Sequence, residues 1–177
     1  MLVERRPSTV LGHQFGPPQP NRAVCDDIAT QIAAVHRVPL DAFDGATNGM
    51  DKRSSEKVLQ WLDEGYANWR PLGVASPAIE TAFAWLRRHV HINDRAPRTL
   101  VHGDYVLNNI LTHEDKVSAI LDWEFAHIGN PAYDLGYSYF MAKALASWKE
   151  YLAAYGRAGG VVPAQEQLDY HILLAAT

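Results

Sequence analysis

The fold is decided by the stretch Val101-His102-Gly103-Asp104-Tyr105-Val106-Leu107-Asn108-Asn109-Ile110-Leu111. Asp104 follows a short apolar run and a glycine, so its carboxylate is predicted to lie on a turn at a strand end, where reactive groups tend to occur. Asn109 lies five residues later, at the start of the next apolar run. The spacing therefore predicts two polar side chains at one end of a small sheet.

A β-hairpin is predicted immediately after this stretch. Residues 109–112 and 117–121 are short, partly β-branched apolar runs on either side of the polar residues 113–116. No glycine occurs in that turn, so the sequence leaves its type open. Asp122 follows the second strand directly, and an aspartate, an asparagine five residues on and a further aspartate after a hairpin form the protein-kinase pattern of catalytic base and magnesium ligands. Magnesium prefers such hard oxygen ligands and completes its shell with water and phosphate oxygens.

The motifs resemble those of the aminoglycoside phosphotransferase and choline kinase family. The resemblance is strongest to the branch found in bacterial proteins of unknown substrate and in phosphotransferase domains fused to acyl-CoA dehydrogenases. Beyond the opening stretch it rests on Leu121-Asp122-Trp123-Glu124, on residues 129–136, on the linker-like residues 2–7 and on the helical segment 32–36.

Catalytic and metal-binding roles follow from the resemblance by position. It implies Asp104 as the catalytic base and Asn109 and Asp122 as ligands of Mg²⁺. It also implies ATP or GTP as the phosphoryl donor and the hydroxyl of a small molecule as the acceptor. The sequence does not identify that acceptor, because fold resemblance does not select a substrate.

Supporting and contact roles are implied for further residues. His102, Gly103 and Asp134 are expected to hold the catalytic loop, with Gly103 adopting a conformation that a side chain would strain. The backbone of Val3 and Glu4 is expected to contact the nucleotide base. Three residues after the metal aspartate are expected either to contact substrate or to serve in packing: Trp123, Glu124 and His127.

The predicted fold is α+β, the mostly helical C-terminal lobe of a kinase-like fold with a short β-hairpin carrying the catalytic and metal residues. Residues 1–10 are interpreted as a remnant of the interlobe linker and residues 11–177 as a single lobe. No glycine-rich phosphate loop or lysine-bearing strand precedes His102. We therefore expect the N-terminal lobe to be absent from this chain, to be supplied by a missing segment or a partner chain, and activity to be weak or absent without it.

Helices are predicted outside the motif region from apolar spacing and end signals. They run from a cap at Asn21 to before Pro39, within residues 51–69, from Pro77 to about His91, from Pro131 to about Tyr155, and from Leu168 to Ala176. Trp61, Trp69, Trp85 and Trp148 are interpreted as core residues of these helices.

Composition excludes several classes of protein. A net charge of −4 and an isoelectric point near 6.0 provide no cationic field for nucleic acid. No apolar run is long enough to span a membrane, and no signal peptide is recognisable at Met1. Cys25 is the only cysteine, so no intramolecular disulfide forms, and we expect a buried thiol and a cytoplasmic protein.

Two other functions stay open at this point. One is a non-catalytic nucleotide-binding, metal-binding or interaction module that keeps the same fold. The other is a metal-dependent phosphohydrolase using His102, Asp104 and Asp122, which lacks a second well-placed histidine ligand. A metal cluster of His89, His91 and Asp94 is less favoured than an ordinary charged helix end.

Overall fold

The structure, a computed structural model, describes residues 9–10, 19–43 and 53–177, and in these ranges α-helices surround two small antiparallel sheets. The strands are β1 (Thr9–Val10), β2 (Thr99–Val101), β3 (Ile110–His113), β4 (Lys116–Ile120) and β5 (His127–Gly129). The helices are α1 (Arg22–His36), α2 (Ser54–Trp69), α3 (Pro77–Arg88), α4 (Ala132–Leu145), α5 (Trp148–Arg157) and α6 (Gln165–Ala176). Short 3-10 helices occupy Leu40–Phe43, Arg70–Leu72, Val90–Arg95 and Leu107–Asn109. The predicted α+β, mostly helical architecture is confirmed.

The two sheets bring the motif residues together. Strands β1, β3 and β4 form one sheet in that order, and β2 pairs with β5, with Val101 opposite His127. The β3–β4 hairpin confirms the predicted one, and its turn residues Glu114 and Asp115 both have positive φ values, 48° and 60°. This left-handed pair matches a type I′ turn without glycine. The Asp115 carboxylate contributes to the turn by accepting a hydrogen bond of 2.8 Å from the Asn21 side chain.

Helix boundaries agree with the sequence signals except in the C-terminal half. The side chains of Asn21 and Ser76 cap α1 and α3, as predicted, by accepting hydrogen bonds from Val24 and Ile79 backbone N–H groups. The prediction of a single helix from Pro131 to Tyr155 is wrong. Helix α4 ends at Leu145, and the Ser147 side chain caps a new helix, α5. A side-chain cap of this kind satisfies N–H groups that would otherwise lack partners at the helix start.

Two apolar clusters form the core. The larger joins α1, α4 and α5 with Tyr105 and Ile110, and the smaller joins α2 and α3 with Tyr170 of α6. Cys25 is fully buried in the larger cluster, as predicted, and burial raises the pKa of its thiol to about 11. Trp85 was predicted as a core residue, but it is 39% exposed and stacks on His89 instead. Within the described ranges, no helix has both the length and the apolar content needed to cross a bilayer.

Helices α4 and α6 approach each other closely at Gly136. A Cβ atom on this residue would lie 2.5 Å from the backbone carbonyl carbon of His171, so no larger residue fits without moving one helix. His171 is buried there, and its Nε2 atom contacts the Asn93 side-chain oxygen. Burial, followed by the neighbouring His127, lowers the pKa of His171 to about 3. Burial also lowers the pKa of His127.

We expect acid to destabilise the fold through these two histidines. In the unfolded chain each binds a proton near pH 6.5, whereas the folded protein keeps both neutral to lower pH, so stability is full above pH 6.5 and falls as pH decreases. The free energy of unfolding should fall by up to about 1.4 kcal/mol per pH unit for each histidine. Urea denaturation at a series of pH values measures the slope. His171→Gln should reduce that slope, and an unchanged slope in this variant would contradict the assignment.

Candidate active site

Asp104 and Asn109 lie in contact, as their spacing predicted. The amide nitrogen of Asn109 donates hydrogen bonds to the Asp104 carboxylate Oδ2 atom at 2.8 Å and to the Asp104 carbonyl oxygen at 3.0 Å. The intervening 3-10 turn Leu107–Asn109 closes the loop between β2 and β3. Asp104 is partly exposed, so its second carboxylate oxygen is available to an incoming molecule.

The buried imidazole of His102 connects this loop to the end of the hairpin. Its Nε2–H donates to the carbonyl oxygen of Leu121 at 2.9 Å, and its Nδ1 accepts the backbone N–H of Asp104 at 3.2 Å. The two bonds together require the neutral Nε2–H tautomer. The Leu121 backbone N–H also donates to the Asn109 carbonyl oxygen at 2.8 Å. Asp104, Asn109 and the residue before Asp122 are therefore held in one hydrogen-bonded unit.

Asp122 has a strained backbone and an exposed side chain. Its φ of 64° lies in the left-handed region, which few residues other than glycine adopt, although aspartate and asparagine are enriched there. Within the described residues its carboxylate has no hydrogen bond or ion pair to protein. A non-glycine residue in this conformation often marks a functional site. The geometry leaves the Asp122 carboxylate available for a ligand from solvent.

Gly103 is required by the loop for two reasons. Its φ of 90° is unfavourable for a residue with a side chain, and an added Cβ atom would lie 2.4 Å from the Phe125 carbonyl oxygen. The glycine thus allows the segment after Asp122 to pack directly on the loop that carries Asp104.

Asp134 holds the loop that carries Asp104 by its fully buried carboxylate. Oδ1 accepts the backbone N–H of Gly103 at 2.9 Å, and Oδ2 accepts that of His102 at 2.8 Å. Burial raises the pKa of Asp134, but the hydrogen bonds from His36, His102 and Gly103 outweigh it and hold that pKa below its usual value. The charged carboxylate therefore stabilises the fold above its unfolded pKa, and this contribution is lost as pH falls through the acid range.

His36 is a supporting residue that the sequence reasoning missed. Its Nε2 lies 3.0 Å from Asp134 Oδ2, and its Nδ1 lies 2.8 Å from the Tyr155 hydroxyl. His36 ends the buried face of α1 and lies 98 residues before Asp134 in the chain. A histidine continuing an apolar helix face was the available signal, because a buried polar side chain requires a partner.

A cavity of about 280 Å³ opens beside Asp104 and is mainly aromatic. Its walls are Trp61, Gly103, Asp104, Phe125, Tyr133 and Tyr137. Trp61 packs against the smaller apolar cluster, as predicted, and it also borders this cavity, with its ring centroid 4.8 Å from that of Tyr133. Asp104 is the one charged side chain among these walls.

Of the residues predicted either to contact substrate or to serve in packing, Trp123 and His127 both contact protein, although Trp123 is 40% exposed. The Trp123 ring lies edge-on to His102 at 4.6 Å, and its Nε1–H donates to the Ile120 carbonyl oxygen. His127 is buried in β5 behind Tyr133 and is not among the cavity walls. Glu124 is exposed. Val3 and Glu4 lie outside the described residues.

The oxygen atoms at the site fit a hard divalent cation. The amide nitrogen of Asn109 is committed to Asp104, which leaves the amide oxygen of Asn109 and the Asp122 carboxylate as donors. Among the residues that the structure describes, no three His, Cys, Asp or Glu side chains cluster as a metal cage. His89, His91 and Asp94 form no such cluster, since the Asp94 carboxylate caps α2 through Ser55. Two protein oxygens with phosphate and water are what magnesium commonly accepts.

Comparisons with known proteins agree with this fold. Residues 1–171 match the phosphotransferase enzyme family, APH. Mouse acyl-CoA dehydrogenase family member 10 is 44% identical over 123 residues, which are 68% of this chain and 11% of that protein. The macrolide 2′-phosphotransferase MphH of Brachybacterium faecium has a TM-score of 0.68 at 21% identity, over 95% of this chain and 57% of that one.

A second similar solved structure is the GDP complex of wild-type aminoglycoside 2′-phosphotransferase-IIIa, with a TM-score of 0.62 at 19% identity. The match covers 94% of this chain and 58% of that one. The chain thus spans little more than half of these solved phosphotransferases and about a tenth of the mouse dehydrogenase. At these identities the solved structures establish the fold.

Proposed function

The chain belongs to the phosphotransferase enzyme family, and from that premise we propose that it carries the catalytic centre for transfer of a phosphoryl group from ATP or GTP to a small-molecule hydroxyl. One observation carries the proposal: the Asp104 carboxylate is fixed by Asn109 and opens into a cavity that admits a small molecule. Related solved phosphotransferases supply the nucleotide by analogy, since one of them binds GDP. A cytoplasmic location accords with the lone buried thiol.

Asp104 acts as the base in this proposal. Its free carboxylate oxygen accepts the proton of the acceptor hydroxyl as that oxygen forms a bond to the γ-phosphorus, and the bond from phosphorus to the β,γ-bridging oxygen breaks. The nucleoside diphosphate leaves with the electrons of that bond. Asn109 orients the carboxylate, and His102, Gly103 and Asp134 fix the backbone that carries it. Positioning of this kind supplies much of the rate enhancement in phosphoryl transfer.

Magnesium would be held by the Asn109 amide oxygen and the Asp122 carboxylate. When bound, the ion neutralises charge on the phosphate oxygens. The strained backbone at Asp122 supports this assignment, because such conformations often occur at functional sites and the carboxylate is exposed.

We propose that these 177 residues turn over slowly by themselves. Their sequence has no glycine-rich phosphate loop and no lysine-bearing strand before His102, and both contribute to charge neutralisation in kinases. A further segment or partner chain that supplies them would raise the rate. The same lack favours a second candidate, a module that binds nucleotide and metal without turnover. In either case the backbone of Val3 and Glu4 is proposed to contact the purine base of the nucleotide.

A titration with ATP in the presence of magnesium tests the metal assignment. We expect Asp122→Asn to weaken magnesium-dependent ATP binding by at least about tenfold, because the variant removes a ligand charge while asparagine tolerates the left-handed backbone. Isothermal titration calorimetry measures the affinity. Asp169→Asn, an exposed change on α6, is the matched control and should bind as the parent does. Equal affinities for Asp122→Asn and the parent would remove Asp122 from the site.

A further inference from the structure

A second recess adjoins the cavity at Asp104 and is more apolar. It has a volume of about 440 Å³ and lies between the catalytic loop and α4. We call it the α4 groove, and its walls include Val106, Leu107, Tyr137, Phe140, Met141 and Ala144. Tyr137 lines both this groove and the cavity at Asp104, and Val106 of the groove follows Asp104 by two residues in the same loop. The groove therefore lies next to the side chain that is proposed as the base.

The position of the groove relative to the base is fixed by hydrogen bonds. The Val106 backbone N–H donates to the Asp104 carbonyl oxygen at 3.0 Å, and the Asn109 N–H donates to the Val106 carbonyl oxygen at 3.0 Å. On the opposite side, the ring of Tyr137 stacks on that of Tyr133 with centroids 5.0 Å apart. Both walls are thus held in place relative to Asp104, which preorganises the groove for a ligand.

The lack of charged side chains around the two spaces limits the kinds of acceptor that can bind there. Asp104 is the one charged side chain that borders either space, and in our mechanism its carboxylate is occupied by the reacting hydroxyl. A polycation would lose hydration against the aromatic walls and gain no further carboxylate in return. Phe140, by contrast, is 56% exposed beside the catalytic loop, and covering it would bury apolar surface.

We propose that the acceptor is an uncharged alcohol with an alkyl or aryl body, whose hydroxyl lies at Asp104 and whose body lies in the α4 groove. This inference rests on the proposed function, because it concerns the substrate of the same proposed reaction. It adds the substrate class, because the groove walls select an apolar body and provide no anchor for ammonium groups.

Affinities of straight-chain alcohols test the class without any catalytic step. Butan-1-ol, hexan-1-ol and octan-1-ol are titrated into the ¹⁵N-labelled chain without nucleotide, and dissociation constants are taken from amide shifts around Tyr137 and Phe140. Each added methylene should strengthen binding roughly fourfold, and octan-1-ol should bind roughly 200-fold more tightly than butan-1-ol. Kanamycin, a polycation, should leave these amides unshifted. A flat series, or kanamycin binding at these amides, would overturn the proposal.

Two variants locate the binding surface. Phe140→Ala removes an exposed groove wall and should weaken octan-1-ol binding by about tenfold, whereas Leu72→Ala, which truncates a residue that is 69% exposed elsewhere, should leave it unchanged. Ala144→Phe fills the groove and should abolish the dependence on chain length. Ala153→Phe on the exposed face of α5 is its control. Equal binding by Phe140→Ala and the parent would place the alcohols elsewhere and overturn the assignment of the groove.

Failure of the substrate class and failure of the proposed function give different results. If the affinity gradient is present but the chain neither binds ATP with magnesium nor forms ADP at any rate that depends on Asp104, the groove binds apolar alcohols and the phosphotransferase proposal fails. If the gradient is absent while another alcohol supports Asp104-dependent ADP formation, the inference about the groove fails and the function stands. A second copy of the chain could instead cover the groove. Dimers that octan-1-ol does not dissociate would show this and would also refute the inference.

Discussion

Replacing Asp134 with alanine should lower the free energy of unfolding by about 3–5 kcal/mol. The change removes a fully buried carboxylate and leaves three N–H groups, those of His36, His102 and Gly103, without their acceptor. An unsatisfied buried donor costs about 1–3 kcal/mol. Because small domains are stable by about 5–15 kcal/mol, a large part of the total depends on this one side chain. Urea denaturation followed by circular dichroism measures the loss.

Two comparisons make this result specific. Asp169→Ala changes an exposed aspartate on α6 and should alter stability by less than about 0.5 kcal/mol. Asp134→Asn keeps the shape and one accepting oxygen, so its loss should be smaller than that of Asp134→Ala. If Asp134→Ala were as stable as Asp169→Ala, the buried network would not hold the loop.

Replacing Asp104 with asparagine should reduce the rate of phosphoryl transfer by roughly 10²–10⁴-fold. The variant cannot accept the proton of the acceptor hydroxyl, but the side-chain oxygen can still receive the hydrogen bond from Asn109. The fold and the affinity for ATP with magnesium should therefore be retained. The rate is measured as ADP formation at high protein concentration with octan-1-ol as the acceptor.

The division between rate and binding separates a base from a structural residue. Asp169→Asn should keep the parent rate, and Asp104→Asn should keep the parent ATP affinity within about threefold, because Asp104 accepts a proton in the mechanism and is not assigned to the metal. A variant that lost binding and rate together would argue that Asp104 orders the loop. A variant with the parent rate would contradict general-base catalysis by this residue.

Local signals in the sequence were sufficient for most of the secondary structure. The caps at Asn21 and Ser76 and the β-branched runs on either side of residues 113–116 each act over a few neighbouring residues, so their prediction succeeded. Strand β5 was missed because it has three residues, no alternation and a glycine, and it exists through pairing with β2. The break at Ser147 was missed because apolar residues occur on both sides of it.

The site was predictable where its chemistry lies close in sequence. The contact between Asp104 and Asn109 follows from a five-residue separation, whereas the contact of His36 with Asp134 spans 98 residues and depends on how α1 packs on α4. Trp61 packs against the smaller apolar cluster, as predicted, but its place at the cavity was not predicted, for the same reason. Its helical spacing indicates a packed face, and only the tertiary arrangement shows that part of this face borders the cavity.

The bridging imidazole of His102 has a mechanical consequence. The His102 ring forms hydrogen bonds both to the backbone at Asp104 and to the backbone just before Asp122. One side chain therefore connects the two chain segments that carry these carboxylates. A displacement of the hairpin end would therefore be passed to the backbone at Asp104 through these two hydrogen bonds. His102 thus couples the positions of the two parts of the candidate site.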